Sequence, residues 1–419
     1  FSDQNVRLFR RTKGQWAGRL HETVVARPGK TALRPGFTTD VWFLHSGYAT
    51  EAVAGKAKAE RNIRIGELEL AEGPAPSRRA FVLVNLGRSL AGAGRLDEAV
   101  ARFEEALALT KLAAERRRAL RHGAEALLDA GRPADALAWI ERLRAASTNT
   151  DMADWLEAIA RTDLGDLDAA LAKLSDLHRV RDDDGLVLPD HVVRMRRART
   201  LRDAGRHAEA ADDLLAIIDD NVAPPWAMLA EANAAAGRDA TLVAAAIPQG
   251  QLTFALGQLL GVAPHVADGI AEALFNRFPH DAAVLAFASE IAPRLAVTRA
   301  LEWSARVRAA NLADHCPLVA IAADADRSVA DRLHAACMLA GAFADDRAHA
   351  AMRSVAGVVA PDDVAEALVI TDELAPDLLP DFLLGAANDV ARGHALATAL
   401  HAFGASEQAE AVLEVVAAI

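Results

Sequence analysis

Between Ala80 and Leu109 the apolar residues fall at intervals of three and four: Leu83, Leu86 and Leu90, then Val100, Phe103 and Leu107. That is the period of a helix with one buried face. Gly92 and Gly94 part the two stripes, so the stretch predicts two helices and a tight turn. Small residues, Gly87, Ala99 and Ala106, stand where the helices must approach closely, because larger side chains would hold the backbones apart. The turn Ala93, Gly94, Arg95 returns as Ala130, Gly131, Arg132, as Leu164, Gly165, Asp166, as Ala204, Gly205, Arg206 and as Ala236, Gly237, Arg238. From glycine to glycine the steps are 37, 34, 40 and 32 residues. Five residues after the first four glycines comes Ala99, Ala136, Ala170 or Ala210; after the fifth comes Leu242, a sign of degeneration. One hairpin cannot bury its apolar faces alone, whereas stacked copies share a continuous core.

The order Leu86, Gly87, Leu90, Gly94, Ala99, Phe103, Ala106 resembles the tetratricopeptide repeat, whose period is about 34 residues. The resemblance covers residues 80 to about 250 and implies a mainly α fold, a solenoid of some five helical hairpins. Such solenoids hold an extended peptide or a partner helix in a concave groove. First-helix residues expected to face it are Arg88, Arg118, Arg121, Glu125, Trp155, Met195, Arg199 and Arg202. The run Arg116, Arg117, Arg118 with Arg121 is the sharpest patch.

Beyond Gln251 the pattern loosens, yet helical stripes persist, as in Ile270, Leu274, Phe278 and in Leu396, Leu400, Phe403. Prolines at 264, 279, 293, 317, 361, 376 and 380 punctuate them like helix boundaries. Residues 251–419 are therefore expected to continue as degenerate hairpins, with Ser406 to Ala418 as the last helix. At the other end, Val6 to Phe9, Arg19 to Val25 and Val41 to Leu44 read as short strands between Lys13-Gly14, Pro28-Gly29 and Pro35-Gly36 turns. A helix from Glu51 to Glu72 follows, and Gly73, Pro74, Ala75 and Pro76 break it into a stiff joint.

Composition narrows the choice. The chain of 419 residues is 52% apolar, rich in Ala, and has one Tyr, which favours helix over a β-sandwich. Two cysteines, Cys316 and Cys337, supply no disulfide framework, and no signal-peptide pattern opens the chain, so a cytoplasmic setting is expected. The uncharged stretch Ala240 to Pro264 is long enough to span a bilayer, but Pro248, three glutamines and three glycines favour a buried helical pair. Residues 1 to 70 carry twelve Lys and Arg against seven Asp and Glu, +5, so the formal charge of −12 leaves −17 for the rest. An acidic solenoid argues against nucleic acid as a ligand, since phosphate binding needs cations.

The basic head carries a second resemblance. VRLFRR from Val6, WAGRLHETV from Trp16, FLHSGY from Phe43 and KAKAERN from Lys56 resemble, in order and spacing, the carboxyl end of the catalytic domain of bacterial family 2 glycosyltransferases. In that group a GT-A domain is often followed by tetratricopeptide repeats. Residues 1–72 would then be a small α/β remnant of a GT-A domain plus a linking helix. The resemblance implies sugar transfer from a nucleotide-sugar donor, with Mn or Mg screening the diphosphate leaving group. It would make His21 a metal ligand and let Glu22 orient acceptor or metal, Arg7 and Arg10 meet phosphate, and His45 and Tyr48 close the pocket. The donor-binding strands, the Asp-x-Asp motif and the general base of such a domain would lie upstream, so this chain alone is expected to be inactive.

Two clusters further along carry less. Asp182, Asp183, Asp184 and the pair Asp324, Asp326 are expected in solvated inter-helical turns. His315 with Cys316 and His334 with Cys337 supply four candidate zinc ligands, but no CxxC element accompanies them. Two readings result: the carboxyl-terminal piece of a glycosyltransferase whose repeats bind acceptor or partner protein, and a non-catalytic repeat scaffold.

Overall fold

The computed structural model describes residues 9–17, 19, 23–30, 51–183, 185–219 and 222–419. The chain is mainly α, a tetratricopeptide-like solenoid of helical hairpins, and it forms two compact units, Phe1–Arg206 and His207–Ile419.

In the first unit an antiparallel ribbon, β1 (Gly14–Ala17) and β2 (Thr23–Ala26), pairs Gly14 with Ala26 and Trp16 with Val24. Gly14 therefore opens a strand instead of forming the expected turn, and the turn falls on residues 11–13. The Pro28-Gly29 turn is present, with Gly29 at φ +72°. Apart from Phe9, the strands expected at Val6–Phe9 and Val41–Leu44 lie outside the described residues. Helices α1 (Glu51–Ala71), α2 (Pro76–Gly92), α3 (Leu96–Leu109), α4 (Ala113–Asp129), α5 (Pro133–Ala146), α6 (Asp151–Asp163) and α7 (Leu167–Ser175) follow. A small hairpin, β3 (Val180–Arg181) and β4 (Val187–Leu188), precedes α8 (Asp190–Asp203). Helix α1 packs on α2, so residues 73–75 turn the chain within a helical pair. The ribbon is tied to the end of α1, where the Arg19 main-chain N–H donates to Glu69 at 3.4 Å and its guanidinium pairs with Glu72.

The repeated turn has one physical form. At the end of α2 the N–H of Arg95 donates to the carbonyl of Leu90 at 2.9 Å and that of Gly94 to Ala91 at 2.9 Å, with Gly94 at φ +80°. These are the two bonds of the Schellman motif, which needs a left-handed residue, and glycine adopts that conformation without a Cβ clash. The same bonds close α4, α6 and α8, at Gly131, Gly165 and Gly205. Ala99, Phe103 and Ala106 are fully buried between the paired helices, as their spacing predicts.

The second unit holds α9 (His207–Asp219), α10 (Trp226–Ala235), α11 (Ala240–Ala246), α12 (Leu252–Leu259), α13 (Pro264–Arg277), α14 (Ala282–Ile291), α15 (Val297–Ala309), α16 (Pro317–Ala323) and α17 (Val329–Phe343). Helices α18 (Arg347–Ala356), α19 (Val364–Leu374), α20 (Leu379–Ala386), α21 (Val390–Ala402) and α22 (Ser406–Ala417) complete it. Prolines 264 and 317 open helices, where the missing N–H is not needed. The Ala240–Pro264 stretch spans α11, α12 and the start of α13, and no helix among the described residues is long and apolar enough to cross a membrane. Leu242 stays exposed on α11 while Val243 and Ala244 take the buried positions, which is how the fifth repeat departs from the rest.

Candidate interaction face

Successive first helices touch one another: α2 meets α4 and α4 meets α6, whereas α3 and α5 make no comparable approach. The first helices therefore form the inner layer of this unit, and most of the residues expected at a groove lie on them. On α4, Arg117, Arg121 and Glu125 stand at i, i+4 and i+8, one above another. Arg121 Nη1 donates to Asp182 Oδ2 at 2.7 Å, and its Nε lies 3.7 Å from Glu125 Oε1. Arg117 Nε lies 3.6 Å from Asp183 Oδ2.

The expectation of solvated aspartates at 182 and 183 is therefore corrected. Both are half-buried, because the β3–β4 turn folds back over α6 to the face of α4. Asp183 also accepts bonds from Thr148 N at 2.7 Å, Thr148 Oγ1 at 2.5 Å and Asn149 N at 3.3 Å. The Thr148 hydroxyl bond, then its N–H and the Arg117 charge, hold the Asp183 carboxyl below its ordinary range. Asp182 Oδ1 accepts the Leu186 N–H at 2.6 Å and closes the turn on itself.

His122 is buried and its Nδ1 lies 2.7 Å from Glu125 Oε2. Burial lowers the imidazole below its ordinary value, against the pull of Glu125, so at neutral pH the ring is uncharged. The network then assigns the Nδ1 proton to the Glu125 bond and leaves Nε2 to accept from Arg121 at 3.4 Å. Glu125 is desolvated, but the His122 bond and the charges of Arg121 and Arg88 outweigh burial and hold it ionised.

Some other cations of the first helices make no ion pair of their own among the described residues. Arg88 on α2 and Arg118 on α4 form no ion pair among the described residues, and desolvation, with the charges of Arg121 and Arg118, holds Arg88 below the usual arginine value against the pull of Glu125. On α8, Arg196 lies 6.0 Å over the ring of Trp155, and Arg199 lies 4.0 Å from Met195 Sδ. Burial, then the Arg199 charge, lowers Arg196. Trp155, expected to face a ligand, is 9% exposed and belongs to the core beneath Arg196. Arg202 pairs with its neighbour Asp203 at 2.9 Å. A Thr162–Thr200 hydroxyl contact at 3.2 Å joins α6 to α8.

The residues expected for sugar transfer are placed differently. Arg7, His21, Glu22, His45 and Tyr48 lie outside the described residues; Arg10 is exposed, and its carbonyl accepts the N–H groups of Lys13 and Gly14. Among the described residues no group of three or more His, Cys, Asp or Glu is placed to hold a metal. His334 Nδ1 bonds the Ala330 carbonyl at 2.8 Å, and Cys316 Sγ accepts from Arg308 at 3.6 Å. Sequence reading missed the parts played by Asp182, Asp183, His122 and Arg196. The 40-residue step from Gly165 to Gly205 signalled an insertion, but not where it would fold.

Residues 80–105 and 117–142 match the tetratricopeptide repeat family. No curated protein sequence matches the chain. Among solved structures, Naa15/Naa10 bound to HypK-THB is similar at 14% identity and a TM-score of 0.31, over 86% of this chain and 56% of that one. The APC/C hetero-tetramer Cut9-Hcn1 is similar at 12% identity and 0.32, over 84% and 67%. Yeast Tom70 is similar at 14% and 0.22, over 86% and 88%. This chain thus spans little more than half of the Naa15/Naa10 chain it matches.

Proposed function

We propose that the chain is a protein-interaction module and that the inner face of its first unit holds an acidic segment of a partner protein. One observation carries this reading: Arg88 with Arg118 on α2 and α4, and Arg196 with Arg199 on α8, form no ion pair among the described residues, in a chain of formal charge −12. Each guanidinium offers a planar fork of donors that fits a carboxylate at two points. Nucleic acid is the poorer match, because a chain of this net charge repels a polyphosphate at long range. A cytoplasmic location belongs to the same proposal, supported by two unpaired thiols, Cys316 and Cys337.

The test uses the full chain and a fluorescein-labelled dodeca-glutamate peptide, read by fluorescence polarisation, with a Ser-Gly peptide as control. Binding that weakens with salt, and that Arg88→Glu with Arg118→Glu reduces by about tenfold or more, supports the reading. Equal affinity for the two peptides sinks it.

A second proposal rests on the resemblance of residues 1–72 to family 2 glycosyltransferases. In it the chain belongs to an enzyme that transfers sugar from a nucleotide-sugar with Mn or Mg, His21 serves the metal, Glu22 the acceptor, and Arg7 and Arg10 the diphosphate. A donor nucleotide with manganese would raise the melting temperature, and His21→Ala would remove the rise. No shift with any donor leaves the interaction module alone.

A further inference from the structure

We infer that the β3–β4 turn is a built-in competitor for the acidic ligand: Asp182 and Asp183 occupy Arg121 and Arg117 as a partner's carboxylates would, and a partner gains those two arginines by displacing the turn. This rests on the interaction reading above and adds its regulation.

Three observations converge on it. The turn lies in the longest repeat step, 40 residues against a period of about 34, so it is an insertion the stack does not need. Its contact with α4 is ionic: Asp182 reaches Arg121 at 2.7 Å and Asp183 reaches Arg117 at 3.6 Å. Its stem and its tip are held by different forces. Val180 is fully buried and Leu188 packs on the core, whereas Leu186 in the turn is 38% exposed. The stem thus anchors the hairpin through apolar burial while the tip is held by polar bonds, a combination that lets the tip leave without unfolding the stack. Arg118 and Arg88 neighbour the occupied arginines, so an acidic segment that first meets the open pair is positioned to replace Asp182 at Arg121.

Asp182→Asn separates competition from architecture. Asparagine keeps an oxygen to accept the Leu186 N–H but loses the charge that holds Arg121. Binding of the labelled dodeca-glutamate peptide to the full chain should tighten by about tenfold in this variant, and by more in Asp182→Asn with Asp183→Asn. Adding Arg118→Glu should cancel the gain. In the wild-type chain, saturating peptide should speed hydrogen exchange at the Leu186 amide, whose bond to Asp182 would be released. Unchanged or weaker affinity in Asp182→Asn, with unchanged Leu186 protection, overturns the competitor and leaves the interaction reading intact. Absence of binding by wild type and variant alike, with melting curves that show both folded, overturns the interaction reading itself.

Discussion

Gly123 and Trp139 meet so closely that a Cβ on the glycine would lie 2.3 Å from Cε3 and Cζ3 of the indole. Gly87 and Phe103 repeat the relationship one hairpin earlier, at 2.6 Å from Phe103 Cε1, and the two rings meet edge to face with centroids 6.3 Å apart. These two hairpins are thus each keyed by an aromatic ring against a bare backbone, and the two keys touch. Gly123→Ala should destabilise the chain by about 1–3 kcal/mol through overpacking, despite the better helix propensity of alanine. The check is urea denaturation; a variant as stable as wild type would show that the ring moves aside freely.

The turn glycines make a different prediction, because around Gly131 no neighbouring atom lies within 4 Å of an added Cβ and only φ, at +68°, resists a side chain. Gly131→Ala should cost about 1–2 kcal/mol from backbone strain alone. Gly92, equally open but within ordinary helix, should accept alanine with no loss or a small gain. Thermal melts of the two variants should therefore move in opposite directions or differ by several degrees.

Glu157 is a buried carboxylate in α6 that accepts bonds from Arg161 at 2.7 Å and Arg144 at 2.6 Å and pairs with Lys173 at 3.0 Å. Burial raises its pKa, but the bonds and charges of Arg161 and Lys173 outweigh it and hold the group below the ordinary glutamate value. A carboxyl depressed on folding contributes stability that is fully present above its unfolded value and is lost as pH falls through the folded one. Unfolding free energy should thus drop as pH falls below about 4.3. Glu157→Gln should flatten that drop and lower stability at pH 7 by about 3 kcal/mol, by leaving cations unpaired. Parallel pH curves for the two proteins would remove Glu157 from the account.

Burial pushes the Cys337 thiol up to about 11, against the opposing bond from Thr371. Cys316 is likewise buried. At pH 8 the native chain should therefore react with Ellman's reagent only over the time of its unfolding, and denaturant should release both thiols at once. Fast reaction of the native chain would place a cysteine at the surface.

Much of the fold was legible because its determinants are local. Leu83, Leu86 and Leu90 define a stripe by spacing alone, and Gly94, Gly131, Gly165, Gly205 and Gly237 each take the positive φ that their turns require. Where other residues fill that role the signal fades. Asn311, at φ +60°, closes the turn after α15 with a bond from the Leu312 N–H to Val307, and Ala344, at φ +49°, ends α17. The turn at Gly404 between α21 and α22 has the glycine, at φ +78°, but stands outside the run of regularly spaced turns.

The sequence by itself determined the helices, the turns and the small residues that let helices approach, since each depends on neighbours within one hairpin. It also placed Arg88, Arg118, Arg121 and Glu125 on first helices. Tertiary structure alone decided which of those charges are engaged: Trp155 went under Arg196, His122 took Glu125, and Asp182 and Asp183 came back across α6 to Arg121 and Arg117. Sixty-one residues separate Arg121 from Asp182. No periodicity links positions so far apart, so their pairing is set by where the stack brings the inserted turn.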